Sequence, residues 1–116
     1  MDREQFYKAM TEPQAIFSAK DREKIIVNSI KAHAQDNLSK AGNTNCIIVM
    51  EELAELSTEI SKYLRGKENR NGIIEEMADV EIGNMYLQQI LGISDETIQK
   101  AIDVKLQREK NRTDNN

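Results

Sequence analysis

From Glu51 the chain reads Glu51-Glu52-Leu53-Ala54-Glu55, breaks at Gly66 to Gly72, and resumes as Glu75-Glu76-Met77-Ala78-Asp79. Two Glu-x-x-acid pairs, Glu52/Glu55 and Glu76/Asp79, each sit inside a run with helical apolar spacing. Residues three apart on a helix share a face, with Cβ atoms about 5–6 Å apart. The short break predicts an antiparallel helical hairpin that brings both pairs together. Four carboxylates in one place repel, by roughly 4 kcal/mol per pair at about 4 Å and an effective dielectric of about 20. A hard, oxygen-ligated divalent cation is the natural counterweight.

Outward from these pairs the chain reads as helices. The helix carrying Glu52 and Glu55 starts after the loop-like segment Asn37 to Thr44, with Asn43 or Thr44 as its cap, and runs to about Arg65. Its apolar stripe is Val49, Leu53, Leu56, Ile60 and Leu64. Glu52, Glu55 and Glu59 precede stripe residues by one position, about 100° round the helix, so carboxylates flank the expected core. Gly66 reads as the residue just past the helix end, behind Lys62 and Arg65, where cations suit the helix dipole. The next helix begins at Asn71-Gly72 and stops at Gly92. Its stripe of Ile73, Met77, Val80, Leu87 and Leu91 is widened by Ile74, Ala78, Ile82 and Met85, a surface broad enough to be touched from two sides.

Upstream, a helix from about Asp21 to Asp36 is expected, capped by Ser18 or Asp21, with Ile25, Ile26, Ile30 and Ala34 inward. Residues 1–20 read as an arm or short helix, interrupted or started at Pro13, whose Phe6, Tyr7, Met10, Ile16 and Phe17 pack on the body or on a partner subunit. Downstream, Ser94 caps a last helix, with Asp95 and Glu96 behind it and Ile98, Ala101, Ile102, Val104 and Leu106 inward. The domain proper therefore spans 21–112, and 113–116 form a polar tail. No repeat or low-complexity segment interrupts it.

At 116 residues, with 31% charged and 4% aromatic residues, one all-α domain is expected. Apolar content of 39% is low for a self-sufficient globule and favours a helical oligomer that completes its core between subunits. The net charge of −4 argues against non-specific nucleic-acid binding. The single cysteine, Cys46, excludes an internal disulfide and fits a reducing compartment. No apolar run reaches the roughly 20 residues that span a bilayer, and the N-terminus lacks the apolar segment of a signal peptide. A cytoplasmic protein with no membrane partner is the expectation. His33 is the only histidine and lies outside the acid pairs, which counts against a di-iron site built on Glu-x-x-His.

Glu-Glu-Leu-Ala-Glu-Leu at 51–56, Glu-Glu-Met-Ala-Asp-Val at 75–80 and the basic end Lys105 to Arg112 resemble the MazG-like all-α nucleoside triphosphate pyrophosphohydrolases. That superfamily also contains dimeric dUTPases and phosphoribosyl-ATP pyrophosphatase. The resemblance covers residues 45–112 and implies a four-helix-type bundle in a homodimer or homotetramer. It implies Mg²⁺, with Mn²⁺ able to substitute, held by Glu52, Glu55, Glu76 and Asp79. The implied activity is hydrolysis of a nucleoside triphosphate, a dNTP or non-standard NTP, to monophosphate and pyrophosphate. Glu51 joins the catalytic set, and Glu51 and Glu75 orient water or ligands. Lys62, Lys105, Arg108 and Arg112 are candidates for the phosphates, since Arg pairs with them bidentately. Asn45, seven residues before Glu52 and on its face, is a candidate for the nucleobase; helix capping is its other reading.

Two departures from the family stand out. The Lys105–Arg112 segment lacks the Tyr-Pro-like close of many relatives. Gly83 stands where some of them place a bulky residue near the base. Each candidate also has a plainer reading. The basic end equally complements the dipole of the last helix, and Glu59 reads as a surface salt-bridge residue, its other reading being support of the metal ligands from behind. A phosphoribosyl-ATP pyrophosphatase-like enzyme and a non-catalytic acidic helical interaction protein are the alternative functions.

Overall fold

A computed structural model describes residues 1–33 and 41–114. Five helices follow in order: α1 (Arg3–Met10), α2 (Ala19–His33), α3 (Ala41–Leu64), α4 (Arg70–Leu91) and α5 (Asp95–Asp114). The fold is all-α, with no strand among the described residues. No helix among them is long and apolar enough to cross a membrane.

The hairpin of α3 and α4 is the frame. At 24 and 22 residues the two helices run about 36 and 33 Å. Gly66 ends α3 in the left-handed region at φ 89°, and the Lys67 N–H donates back to the Lys62 carbonyl at 3.1 Å. Asn69 then locks the turn. Its Nδ2 donates to both the Glu59 carbonyl and Glu59 Oε2, each at 2.7 Å. Val49 meets Gly83 while Glu59 meets Gly72, so the two helices run antiparallel in close register.

Helix α2 packs on both arms of the hairpin and α1 on α4. Ser18 provides the α2 cap, its Oγ accepting the Asp21 N–H at 3.1 Å. The helix therefore starts at Ala19, two residues earlier than expected. Its expected continuation to Asp36, the inward Ala34 and the loop at 37–40 lie outside the described residues. Among the described residues α3 already runs from Ala41, so Asn43 and Thr44 lie inside it instead of capping it. Helix α1, read only as an arm or short helix, is a capped helix. Gln5 N donates to Asp2 Oδ1 and Asp2 N to Gln5 Oε1, each at 2.8 Å.

The expected apolar stripes need correction. On α3, Leu53, Ile60 and Leu64 are exposed, at 49%, 44% and 77%, whereas Asn45, Val49 and Glu59 are buried and Glu52 and Leu56 half-buried. Val49 and Leu56 lie inward as expected, but at the other positions the inward face is rotated by about one residue, and Glu52 and Glu59 lie on it. Close approach contributes: Gly72 lets Glu59 and Arg3 come in where a Cβ would lie under 3.0 Å from them, and small or polar groups fill the seam. On α4, Met77, Ala78, Ile82 and Leu91 face out, as does Ile25 on α2. Ser94 caps α5 as expected, accepting the Thr97 N–H at 3.1 Å. Yet Ile98, Ala101, Ile102, Val104 and Leu106 are all exposed, because α5 packs extensively on no other helix. The projecting helix contributes to a radius of gyration of 17.1 Å, against about 13 Å for a compact chain of this length.

Candidate metal centre

Pairs spaced three apart on two antiparallel helices converge at mid-hairpin. Glu52 and Glu55 from α3, with Glu76 and Asp79 from α4, each offer a carboxylate oxygen, and the four oxygens lie within 4.8 Å of one another. Such a cluster of acids could hold a metal ion. Glu76 is 6% exposed. Its Oε2, like Glu52 Oε2, is buried with no hydrogen-bond partner. A buried carboxylate oxygen without a donor is costly to leave so.

The electrostatics follow. Burial first, then Asp79, Glu55 and Glu76, pushes the Glu52 carboxyl up to about 7. Burial and Glu55 push Glu76 up to about 7 as well, with Arg3 pulling the other way. Asp79 is raised by burial and then by Glu75 and Glu55. These groups resist full ionisation together unless a cation joins them.

Beside the cluster lies a second, compensated group that sequence reasoning missed. Arg3 reaches from α1 and spreads over three carboxylates. Nε donates to Glu75 Oε2 at 2.7 Å, Nη1 to Glu59 Oε1 at 2.9 Å and Nη2 to Glu76 Oε1 at 2.9 Å. Lys62 Nζ adds a contact to Glu59 Oε1 at 3.3 Å. Glu59, read as a surface salt-bridge residue, is a buried one, 5% exposed. Arg3 and Asn69, with Lys62 behind them, hold its carboxyl down at about 2 against the opposing effect of burial. Gly72 makes room for this meeting: a Cβ there would lie 2.8 Å from Arg3 Nη1 and 2.9 Å from Glu59 Oε2. The available signal was Glu59 itself, which continues the heptad of Glu52 onto the inward face opposite a glycine. A buried acid there needs a cation.

The remaining candidates are dispersed. Glu51 is exposed at the edge of α3, and Glu75 is engaged by Arg3. Asn45 is fully buried, its Oδ1 2.8 Å from His33 Nδ1. His33 also meets Tyr86 edge-on at 5.8 Å, and the Tyr86 hydroxyl pairs with Ser29 Oγ at 2.7 Å. These residues join α2, α3 and α4 about two helical turns from the acids, and only Asn45 among them was foreseen. Lys62 is spent on Glu59. Lys105, Arg108 and Arg112 lie exposed on α5, where Arg112 pairs with Glu109; among the described residues no ion pair links them to the four acids.

Comparison of the chain with models of protein families, with curated proteins and with solved structures returns no match.

Proposed function

We propose that the protein belongs with the MazG-like enzymes and hydrolyses a nucleoside triphosphate, a dNTP or non-standard NTP, to monophosphate and pyrophosphate with Mg²⁺. The observation that carries this reading is the convergence of four carboxylate oxygens within 4.8 Å, two of the acids holding a buried, partnerless oxygen. An all-oxygen, all-anionic donor set suits a hard cation, Mg²⁺ or Mn²⁺. Bound there, the ion supplies charge for phosphate oxygens and lowers the pKa of a water. Glu52, Glu55, Glu76 and Asp79 would hold it. Glu51, exposed and outside the Arg3 group, is the acid left to orient the attacking water.

The triphosphate needs fixed cations, and the exposed basic end of α5, with Lys105, Arg108 and Arg112, is the supply proposed here. We therefore propose a homodimer or homotetramer that completes the four-helix-type bundle and brings the basic helix end to the acids. The apolar faces left exposed support it: Met50 at 67%, Leu53 and Ile60 on α3, and Ile98, Ile102 and Leu106 on α5. Light scattering tests the assembly, and a stable monomer at micromolar concentration refutes it. A pyrophosphate-release panel across nucleotides, with and without Mg²⁺, tests the activity. Turnover is expected in wild type and abolished in Glu52→Gln and Asp79→Asn. Full activity in both variants, or no turnover of any nucleotide, refutes the assignment.

A further inference from the structure

Helix α1 is an odd companion for the acid cluster. It buries no residue of its own, and residues 11–18, which tether it, are all exposed. Phe6 and Tyr7 are only half-buried. What joins it to the hairpin in the most directed way is Arg3, with three donors on three carboxylates of two helices at 2.7–2.9 Å. Only a guanidinium has the fork for that; an ammonium is a point donor.

The geometry at Glu76 decides what the fork does. Arg3 takes Oε1 at 2.9 Å, while Oε2, buried and without a partner, is left for the cluster. One oxygen is anchored so that the other is presented. The charge of Arg3 reaches Glu76 and so opposes a cation there in part, but most of it is offset outside the cluster. Arg3 and Lys62 balance Glu59 and Glu75, two positive charges against two negative. What remains is orientation.

We propose that Arg3 is a positioning residue of the cation site, acting through Glu76, so that the N-terminal helix is a working part of that site. The proposal rests on the metal reading above. Groups that orient ligating side chains carry much of a metal site's affinity, and their loss weakens binding about 10–100-fold. A purely structural staple would instead affect folding and leave a folded site's affinity alone.

The test uses the full chain and Mn²⁺ as probe, with Kd from titration calorimetry or from the free-ion paramagnetic resonance signal. Melting curves run in parallel, and binding is measured well below the lowest melting temperature. The double variant Arg3→Gln/Glu75→Gln keeps the net charge and removes the fork. Its Kd is expected to weaken roughly 10–100-fold with stoichiometry unchanged. Arg3→Lys keeps the charge and one contact, and should weaken binding by about fivefold or more. Should the double variant not fold, Arg3→Lys alone decides. A Kd within about twofold of wild type in the folded variants, with only the melting temperature lowered, overturns the proposal and leaves Arg3 a staple. Wild-type protein that takes up no Mn²⁺ refutes the metal reading itself, and this proposal with it.

Discussion

Replacing Glu52 by Gln removes a charge from the most crowded point of the hairpin, and in metal-free protein it should stabilise the fold. Two ionised carboxylates at 4.8 Å repel by about 3.5 kcal/mol at an effective dielectric of about 20. The lift of the Glu52 carboxyl from 4.5 to about 7 corresponds to a similar figure, at about 1.4 kcal/mol per unit. Because Glu52 is only half-buried, solvent screening reduces this to about 1.5 kcal/mol. For a domain of this size that is roughly 5–8 °C in Tm. The sign with pH follows from the raised value. The folded chain holds this proton more tightly than the unfolded chain, so metal-free stability falls as pH rises from 4.5 to about 7, and the full cost persists above. Glu76 shifts the same way. Thermal melts in EDTA should therefore show Glu52→Gln ahead of wild type at pH 8 and level with it near pH 4.5. Mg²⁺ at about 100 times its Kd should then raise wild type by about 2.7 kcal/mol and the variant by less. A variant no more stable than wild type at pH 8, or equally ahead at both pH values, refutes the reasoning.

Further outcomes are expected at Glu59, Gly72, Gly83 and the basic end of α5. Glu59, held at about 2, contributes stability above 4.5 that is lost as pH falls toward 2, so Glu59→Gln should flatten the acid limb of the stability curve. At pH 7 the same variant should lose about 2 kcal/mol by urea denaturation, since it weakens the part-buried hydrogen bonds that Arg3, Asn69 and Lys62 make to a charged group. Gly72→Ala places a Cβ 2.8 Å from Arg3 Nη1 and should loosen α1, read as faster proteolysis within the exposed residues 11–18. Gly83→Ala meets Val49 at an ordinary 3.4 Å and should be neutral or stabilising, by up to about 1 kcal/mol from helix propensity. On the proposed reaction, Lys105→Ala and Arg108→Ala should raise KM for the nucleotide and lower kcat, because charge would grow on the leaving pyrophosphate. Unchanged kcat/KM in both would make them dipole partners only.

The hairpin and its four acids were legible because their signals are local. Gly66 and Gly92 stop helices in the left-handed region, and carboxylates three apart must share a face. The inward face of α3 was not. Apolar spacing marks Leu53, Ile60 and Leu64 as a face, and the described residues of the chain leave that face exposed. The intrachain seam follows close approach instead, through Gly72 against Glu59, with Val49 packed on Gly83. Helix α5 repeats the lesson, its Ile98 and Ile102 marking a face that its own chain leaves open. Arg3 was hidden for a different reason. Its partners lie 56 to 73 positions away, beyond any helical period, and in sequence it is one cation among 16. Only the hairpin register exposes the need for it. Once Glu59 and Glu76 are placed on facing helices beside a glycine, their burial without a counter-charge would cost several kcal/mol per group. The slot that Gly72 leaves admits a long, forked cation from outside the hairpin, and in this chain α1 supplies it.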